Sequence, residues 1–179
     1  CLLGPSGGGK TSVISCCLGI KPPDYGSVKV FGRVPWSAAR VPPSQIGYMP
    51  QAPTLHEYFT LGELVHFYGK FFNVGGEVLD ERIREVLRLT ELTDVRNRIV
   101  GRLSGGQKRR ASLACAMLHR PRLLLLDEPV ASLDPLARRG FLQALMAAVA
   151  EGGLTVVFST HLLEDLERIC DHLVVLGQG

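Results

Sequence analysis

The chain has 179 residues, enough for one domain of ordinary size, and 46% of them are hydrophobic, too many for a disordered chain. Its 20 Lys and Arg stand against 17 Asp and Glu, a net charge of +3 with no block of like charges. That balance gives no electrostatic case for a nucleic acid or an anionic membrane surface as partner. The five cysteines, Cys1, Cys16, Cys17, Cys115 and Cys170, form no C-x-x-C pair. We read them as buried free thiols in a reducing cytosol, not as metal ligands. No apolar run approaches the ~18 residues needed to span a bilayer. No signal peptide is visible. The chain opens inside a motif, "CLLGPSGGGK", without a methionine, and we expect further strands upstream of Cys1.

Cys1 to Leu3 read as the end of a buried strand, followed by a turn over 4–9 and a helix from Lys10 to about Leu18. "PPDYG" (22–26) is turn chemistry, and "SVKVFG" (27–32) alternates like a half-buried strand. A Pro-rich loop then leads to a short strand over 45–49. In 77–90, Leu79, Ile83, Val86 and Leu87 recur at helical spacing, with Asp80, Glu81, Arg84, Glu85 and Arg88 on the other face. "RLLLLD" (122–127) is a continuous apolar strand. A helix follows from Pro135 to about Ala150, with Leu142, Leu145, Met146 and Val149 inward. "LTVVFS" (154–159) is a second buried strand, then come a helix at 162–170 and "HLVVLG" (172–177). Apolar strands separated by helices predict a parallel sheet covered on both faces. The interval 52–120 lacks any strand pattern and reads as a helical subdomain inserted into a single α/β domain.

Two stretches carry chemistry. "GPSGGGKT" (4–11) fits G-x-x-x-x-G-K-[ST] between a strand and a helix. Gly4, Pro5, Ser6, Gly7, Gly8 and Gly9 form a loop whose backbone N–H groups can converge on phosphate oxygens. The helix N-terminus adds a favourable dipole, with Ser12 in its first turn. Lys10 reaches the terminal phosphates and Thr11 offers a hydroxyl to Mg²⁺. "LLLLDEP" (123–129) sets Asp127 and Glu128 at the C-terminal end of a buried strand, where parallel sheets bind ligands. Asp127 suits Mg²⁺ held through water, and Glu128 suits an attacking water. An acidic pair at a strand end is by itself a solvated turn or a helix cap. The lysine loop gives this one its function.

"LSGGQKRR" (103–110) is a second glycine-rich helix start. Ser104 is a natural N-cap. Capping does not explain Gly105 and Gly106, each of which costs a helix up to ~1 kcal/mol against alanine. Nor does it explain Lys108, Arg109 and Arg110 in the first turns, where the dipole disfavours cations. An anion against this turn accounts for both.

In order, "GPSGGGKT", "YMPQ", "LSGGQ", "LLLLDEP", "SLD" and "STH" resemble the nucleotide-binding domain of ATP-binding cassette (ABC) proteins, over nearly the whole chain. The resemblance implies a P-loop NTPase core, ATP with Mg²⁺ as cofactors, and ATP hydrolysis coupled to transport by a transmembrane partner at the cytoplasmic face of a membrane. It implies a head-to-tail dimer with a second such domain. Each ATP then lies between the lysine loop of one copy and Ser104, Gly105, Gly106 and Gln107 of the other. Gln51 corresponds to a glutamine that touches Mg²⁺ and the attacking water. Asp134 corresponds to an aspartate of the loop crossing the dimer interface, although Asp134-Pro135 is also a complete helix start. His161 corresponds to a histidine at the γ-phosphate. The adenine-stacking aromatic of the family falls upstream of the lysine loop, before Cys1. Non-transport members acting on DNA or ribosomes stay open as an alternative, and so does a catalytically dead cassette. The compact interval 52–120 counts against the long coiled coils of the DNA type, and intact Lys10, Asp127, Glu128 and His161 count against a dead one.

Overall fold

The computed structural model describes residues 1–52, 54–131, 133–150, 153–162 and 169–177. Within them five strands and five helices follow one another: β1 (Leu2–Leu3), α1 (Lys10–Cys17), β2 (Ile46–Met49), α2 (Leu61–Phe71), α3 (Gly76–Leu89), α4 (Gly105–Met117), β3 (Leu123–Leu126), α5 (Pro135–Ala150), β4 (Thr155–Thr160) and β5 (Val174–Val175). The strands form one sheet in the order β2-β3-β4-β1-β5, and every pairing is parallel. The helix expected at 162–170 lies largely outside the described residues.

The four leucines of β3 explain why the sheet has two layers of cover. Leu123 and Leu125 pack with Leu2, Ile14, Val30 and Val41 on the α1 side. Leu124 and Leu126 point the other way, into the core that Met49 and Phe158 share with α2 to α5. A strand buried on both faces cannot alternate apolar with polar residues, so it reads as an unbroken apolar run. Both parallel neighbours are in register with it, Leu126 opposite Met49 on one side and opposite Phe158 on the other. Parallel pairing puts the C-terminal ends of all five strands at one edge of the sheet. The chain leaves β1 there as residues 4–9, β3 as Asp127 and Glu128, and β4 as His161.

Two expectations are corrected. Residues 27–32 are not a strand. Val30 and Arg33 exchange both backbone hydrogen bonds across Phe31 (φ 49°) and Gly32 (φ 75°), a two-residue hairpin turn with no strand beyond it. Of the alternating residues only Val30 reaches the core. In α5 the buried face is Phe141, Ala144, Leu145 and Ala148, while Met146 is 40% exposed. Helix α5 is rotated from the expected face because small Ala144 and Ala148 let it lie close to the core.

Helix α4 is held against β2 at one point of very close approach. A Cβ on Gly47 would lie 2.2 Å from the Ala116 carbonyl oxygen and 2.8 Å from Leu124 Cδ1. Gly47→Ala should therefore destabilise the fold by about 1–3 kcal/mol through overpacking. Urea unfolding checks this, with a lower midpoint at unchanged slope. Gly75→Ala, where nothing lies within 4 Å, is the control. Equal midpoints for the two variants would rule out the close approach.

Candidate functional site

The loop after β1 turns twice through the left-handed region, at Gly7 (φ 81°) and Gly9 (φ 87°). Side chains rarely adopt those angles, which is why glycine stands at both positions. The first helical bond of α1 runs from the Val13 N–H to the Gly9 carbonyl at 2.9 Å. The amides of Lys10, Thr11 and Ser12 precede it and belong to the unpaired first turn of a helix, the arrangement that receives anions.

Lys10 is 5% exposed. Its ammonium donates to the carbonyls of Gly4 (2.8 Å) and Pro5 (2.9 Å) and pairs with Glu128 Oε1 at 2.9 Å. All three of its hydrogens are thereby engaged. Glu128 itself stands at φ 45°, an angle at which a non-glycine residue is strained. Its other carboxylate oxygen accepts from His161 Nδ1 at 2.8 Å. Burial pushes the Glu128 carboxyl up, but the hydrogen bonds and charges of Lys10 and His161 outweigh it and hold the group below its ordinary 4.5.

Asp127, 1% exposed, accepts from the Thr11 hydroxyl through Oδ2 at 2.7 Å and from the Ser159 hydroxyl through Oδ1 at 2.8 Å. Gln51 lines one small cavity, about 190 Å³, together with Ser6, Gly7, Gly9, Lys10, Thr11, Ser12 and Glu128. A roomier cavity of about 430 Å³, walled by Pro50, Leu55, Tyr68 and Phe72 among others, shares none of these residues.

Ser104, Gly105, Gly106 and Gln107 stand at the start of α4 and do not line the small cavity. Ser104 and Gln107 form a capping box, each side chain bonded to the other's backbone N–H. The three cations that follow need no external anion. Lys108 pairs with Glu57 at 2.7 Å and Arg110 with Glu91 at 2.7 Å. Arg109 donates to the carbonyls of Glu128 (3.2 Å) and Ala131 (3.3 Å). The glycines divide as well. Gly106 is crowded, since a Cβ there would sit 3.0 Å from Ala137 Cβ, whereas a Cβ on Gly105 would meet nothing within 4 Å. Asp134 caps α5, its Oδ1 accepting from the N–H groups of Leu136 (3.0 Å) and Ala137 (2.9 Å).

Ser159 and Arg109 both touch the Asp127–Glu128 turn, and sequence reasoning assigned neither to it. Ser159 stands in the quoted "STH", but nothing local in that triplet ties its hydroxyl to the acidic pair 32 residues earlier. Arg109 offered a weak one, a charge in the first turns of a helix where the dipole disfavours it.

A parallel sheet with a glycine loop, a buried lysine and an acidic pair at its C-terminal edge defines a P-loop nucleoside triphosphatase. The comparisons narrow this. The ABC transporter family model matches residues 1–131, and the chain belongs to that family. It is 40% identical over 178 residues to the Nod factor export ATP-binding protein I of Sinorhizobium fredii, covering 99% of this chain and 52% of that protein. It is 36% identical to the ABC transporter ATP-binding protein YxlF of Bacillus subtilis, described as uncharacterized, covering 99% of this chain and 58% of that protein. The chain thus spans a little over half the length of these curated relatives. Among solved structures it resembles an ATP-binding subunit of an ABC transporter, at TM-score 0.82 and 30% identity, covering 99% of this chain and 74% of that one. It also resembles cbiO1 of Clostridium perfringens, part of the transporter complex cbiONQ, at TM-score 0.87 and 25% identity, covering 99% and 72%.

The depressed Glu128 carboxyl makes a prediction about acid. A group whose folded value lies below its unfolded one adds stability that is complete above the unfolded value and is lost as pH falls through the folded one. The contribution of Glu128 should be intact at pH 7 and disappear below 4.5. Urea midpoints of the parent and Glu128→Gln, followed from pH 7 to pH 3, should converge as pH falls. A gap between them that stays constant with pH would refute the depressed carboxyl.

Proposed function

We propose that this chain binds Mg·ATP at the end of its sheet and hydrolyses it, and that hydrolysis drives a substrate across a membrane through a transmembrane partner. One observation carries the reading. Lys10 and Thr11 at the start of α1, Asp127 and Glu128 after β3, and His161 after β4 close, through Ser159, into one hydrogen-bonded set beside the glycine loop. The residues fit the cofactors. The loop amides and the start of α1 suit a polyphosphate. The Thr11 hydroxyl and Asp127 carboxylate are hard oxygen donors 2.7 Å apart, with Gln51 on the same cavity as Thr11, a set suited to Mg²⁺. Bound Mg²⁺ would supply neutralisation of phosphate charge.

The hydrogen bonds suggest how the residues act. To take a phosphate oxygen, Lys10 must give up one of its three partners. The Gly4 and Pro5 carbonyls are part of the loop that holds the phosphates, so Glu128 is the exchangeable one. Its carboxylate, ionised at neutral pH, then serves as the base that orients or deprotonates water, while His161 holds its second oxygen. We assign His161, whose side chain is 40% exposed, to the transferring phosphoryl group as well.

Ser104, Gly105, Gly106 and Gln107 are assigned to the nucleotide of a second cassette in a head-to-tail dimer, with Asp134 at the interface while it caps α5. What supports this is Gly105, exposed at a helix start with no neighbour that would exclude a side chain. We take 1–179 as one ABC domain, with 52–120 as its helical subdomain, held at the cytoplasmic face of a membrane by the transmembrane partner. No nucleic acid partner is assigned. The names of relatives concerned with export and transport favour this over action on DNA or ribosomes.

Glu128→Gln in the full-length protein should keep ATP affinity and lower kcat by about 10²–10⁴-fold, the usual contribution of a general base. Lys10→Ala should lose both. Mixing Lys10→Ala with Ser104→Arg tests the pairing of half-sites. Each variant alone is inactive, yet a mixed dimer holds one site with both lesions and one with neither, so activity partly returns. Mixed dimers that form, by native mass, and stay inactive would show that the two glycine turns share no nucleotide.

A further inference from the structure

Ser159 stands where three strands meet. The β3–β4 register sets Leu126 opposite Phe158, so Asp127 and Ser159 follow at the same level. On its other flank Ser159 is opposite Leu2 of β1, two residues before the glycine loop. The side chain is 0% exposed. Its hydroxyl accepts the Glu128 N–H at 2.8 Å and donates to Asp127 Oδ1 at 2.8 Å. The direction is forced. An amide can only donate, so the single hydroxyl hydrogen goes to the carboxylate. The second oxygen of Asp127 is left to Thr11.

We propose that Ser159 is a positioning residue that sets the separate tasks of Asp127 and Glu128. By engaging Oδ1 it keeps Oδ2 of Asp127 turned to Thr11, the two groups that would hold Mg²⁺. By accepting the Glu128 amide it pins the turn at φ 45°, which aims the Glu128 carboxylate at Lys10 and His161. This deepens the Mg·ATP reading above and rests on it. A hydrogen-bond partner behind a metal-binding carboxylate fixes its orientation, and its loss typically costs about 10–100-fold in metal affinity or activity. A residue that only filled space would not divide its effect in this way.

The test uses the full-length protein and Mn²⁺, an EPR-visible substitute for Mg²⁺, titrated in the presence of a non-hydrolysable ATP analogue. Nucleotide binding without metal and kcat with Mg²⁺ are measured alongside. Ser159→Ala should bind metal-free nucleotide like the parent, bind Mn²⁺ about 10-fold or more weakly, and lose kcat by a similar factor. Ser159→Thr keeps the hydroxyl and should restore both. Ser159→Cys keeps the volume with a weak donor and should show the same order of losses, which preserves the test if the alanine variant fails to fold. Unchanged Mn²⁺ affinity in Ser159→Ala overturns the proposal. So does a loss of metal-free nucleotide binding that parallels the metal loss and the fall in Tm, the pattern of a merely structural serine. Asp127→Asn separates the two levels. If it weakens Mn²⁺ binding while Ser159→Ala does not, only the role of Ser159 falls. If it leaves Mn²⁺ affinity intact, the metal assignment of Asp127 falls first, and the role of Ser159 falls with it.

Discussion

The buried ion pair between Lys10 and Glu128 is the contact around which the site is built. Both partners are less than a tenth exposed, and a charge taken from water survives only if pairing and further hydrogen bonds replace hydration. Each has them: two loop carbonyls for Lys10, and His161 for Glu128. The two residues are 118 positions apart, so only a sheet that pairs distant strands in parallel can bring them together. The unbroken apolar strand β3, covered on both faces, is what fixes that sheet. Stability and chemistry therefore share a constraint, because the registers that bury Leu123 to Leu126 also place Asp127 and Glu128.

The same pair shows how much was legible in the sequence. The glycine loop, its lysine and the acidic pair are local patterns, and strand burial on both faces leaves a local trace in four successive leucines. Residues 27–32 misled because alternation is local whereas a strand exists only through its partner, and Phe31–Gly32 folds that segment back on itself. Lys108 and Arg110 misled for a similar reason. Their partners, Glu57 and Glu91, lie 51 and 19 residues away, so the charges read as unpaired. The role of Ser159, which stood only as part of "STH", was hidden for the strongest version of this reason, since it depends on the register of two strands.

The start of α4 is better explained once its neighbours are known. Packing accounts for Gly106, the capping box for Ser104 and Gln107, and intramolecular pairing for the three cations. What remains unexplained within the chain is Gly105 alone. A residue that weakens a helix and is needed by no internal contact is most simply needed by something outside it. Of the five residues that seemed to call for an anion, Gly105 alone still does.

Glu128 is gripped from four directions. Its amide is held by Ser159 on β4, its carbonyl by Arg109 on α4, one carboxylate oxygen by Lys10 on α1, and the other by His161 beyond β4. A strained backbone angle persists only where its surroundings over-determine it. Here the over-determination comes from separate elements, so the position of the carboxylate depends on how those elements sit relative to one another. Any event that shifts α4, which carries the exposed Ser104–Gly105 turn, pulls on the Glu128 carbonyl through Arg109. A phosphate drawing Lys10 away would remove a second support, at the carboxylate. The residue proposed as the base is thereby also the one whose geometry both glycine turns can alter, and this follows from hydrogen bonds within a single chain.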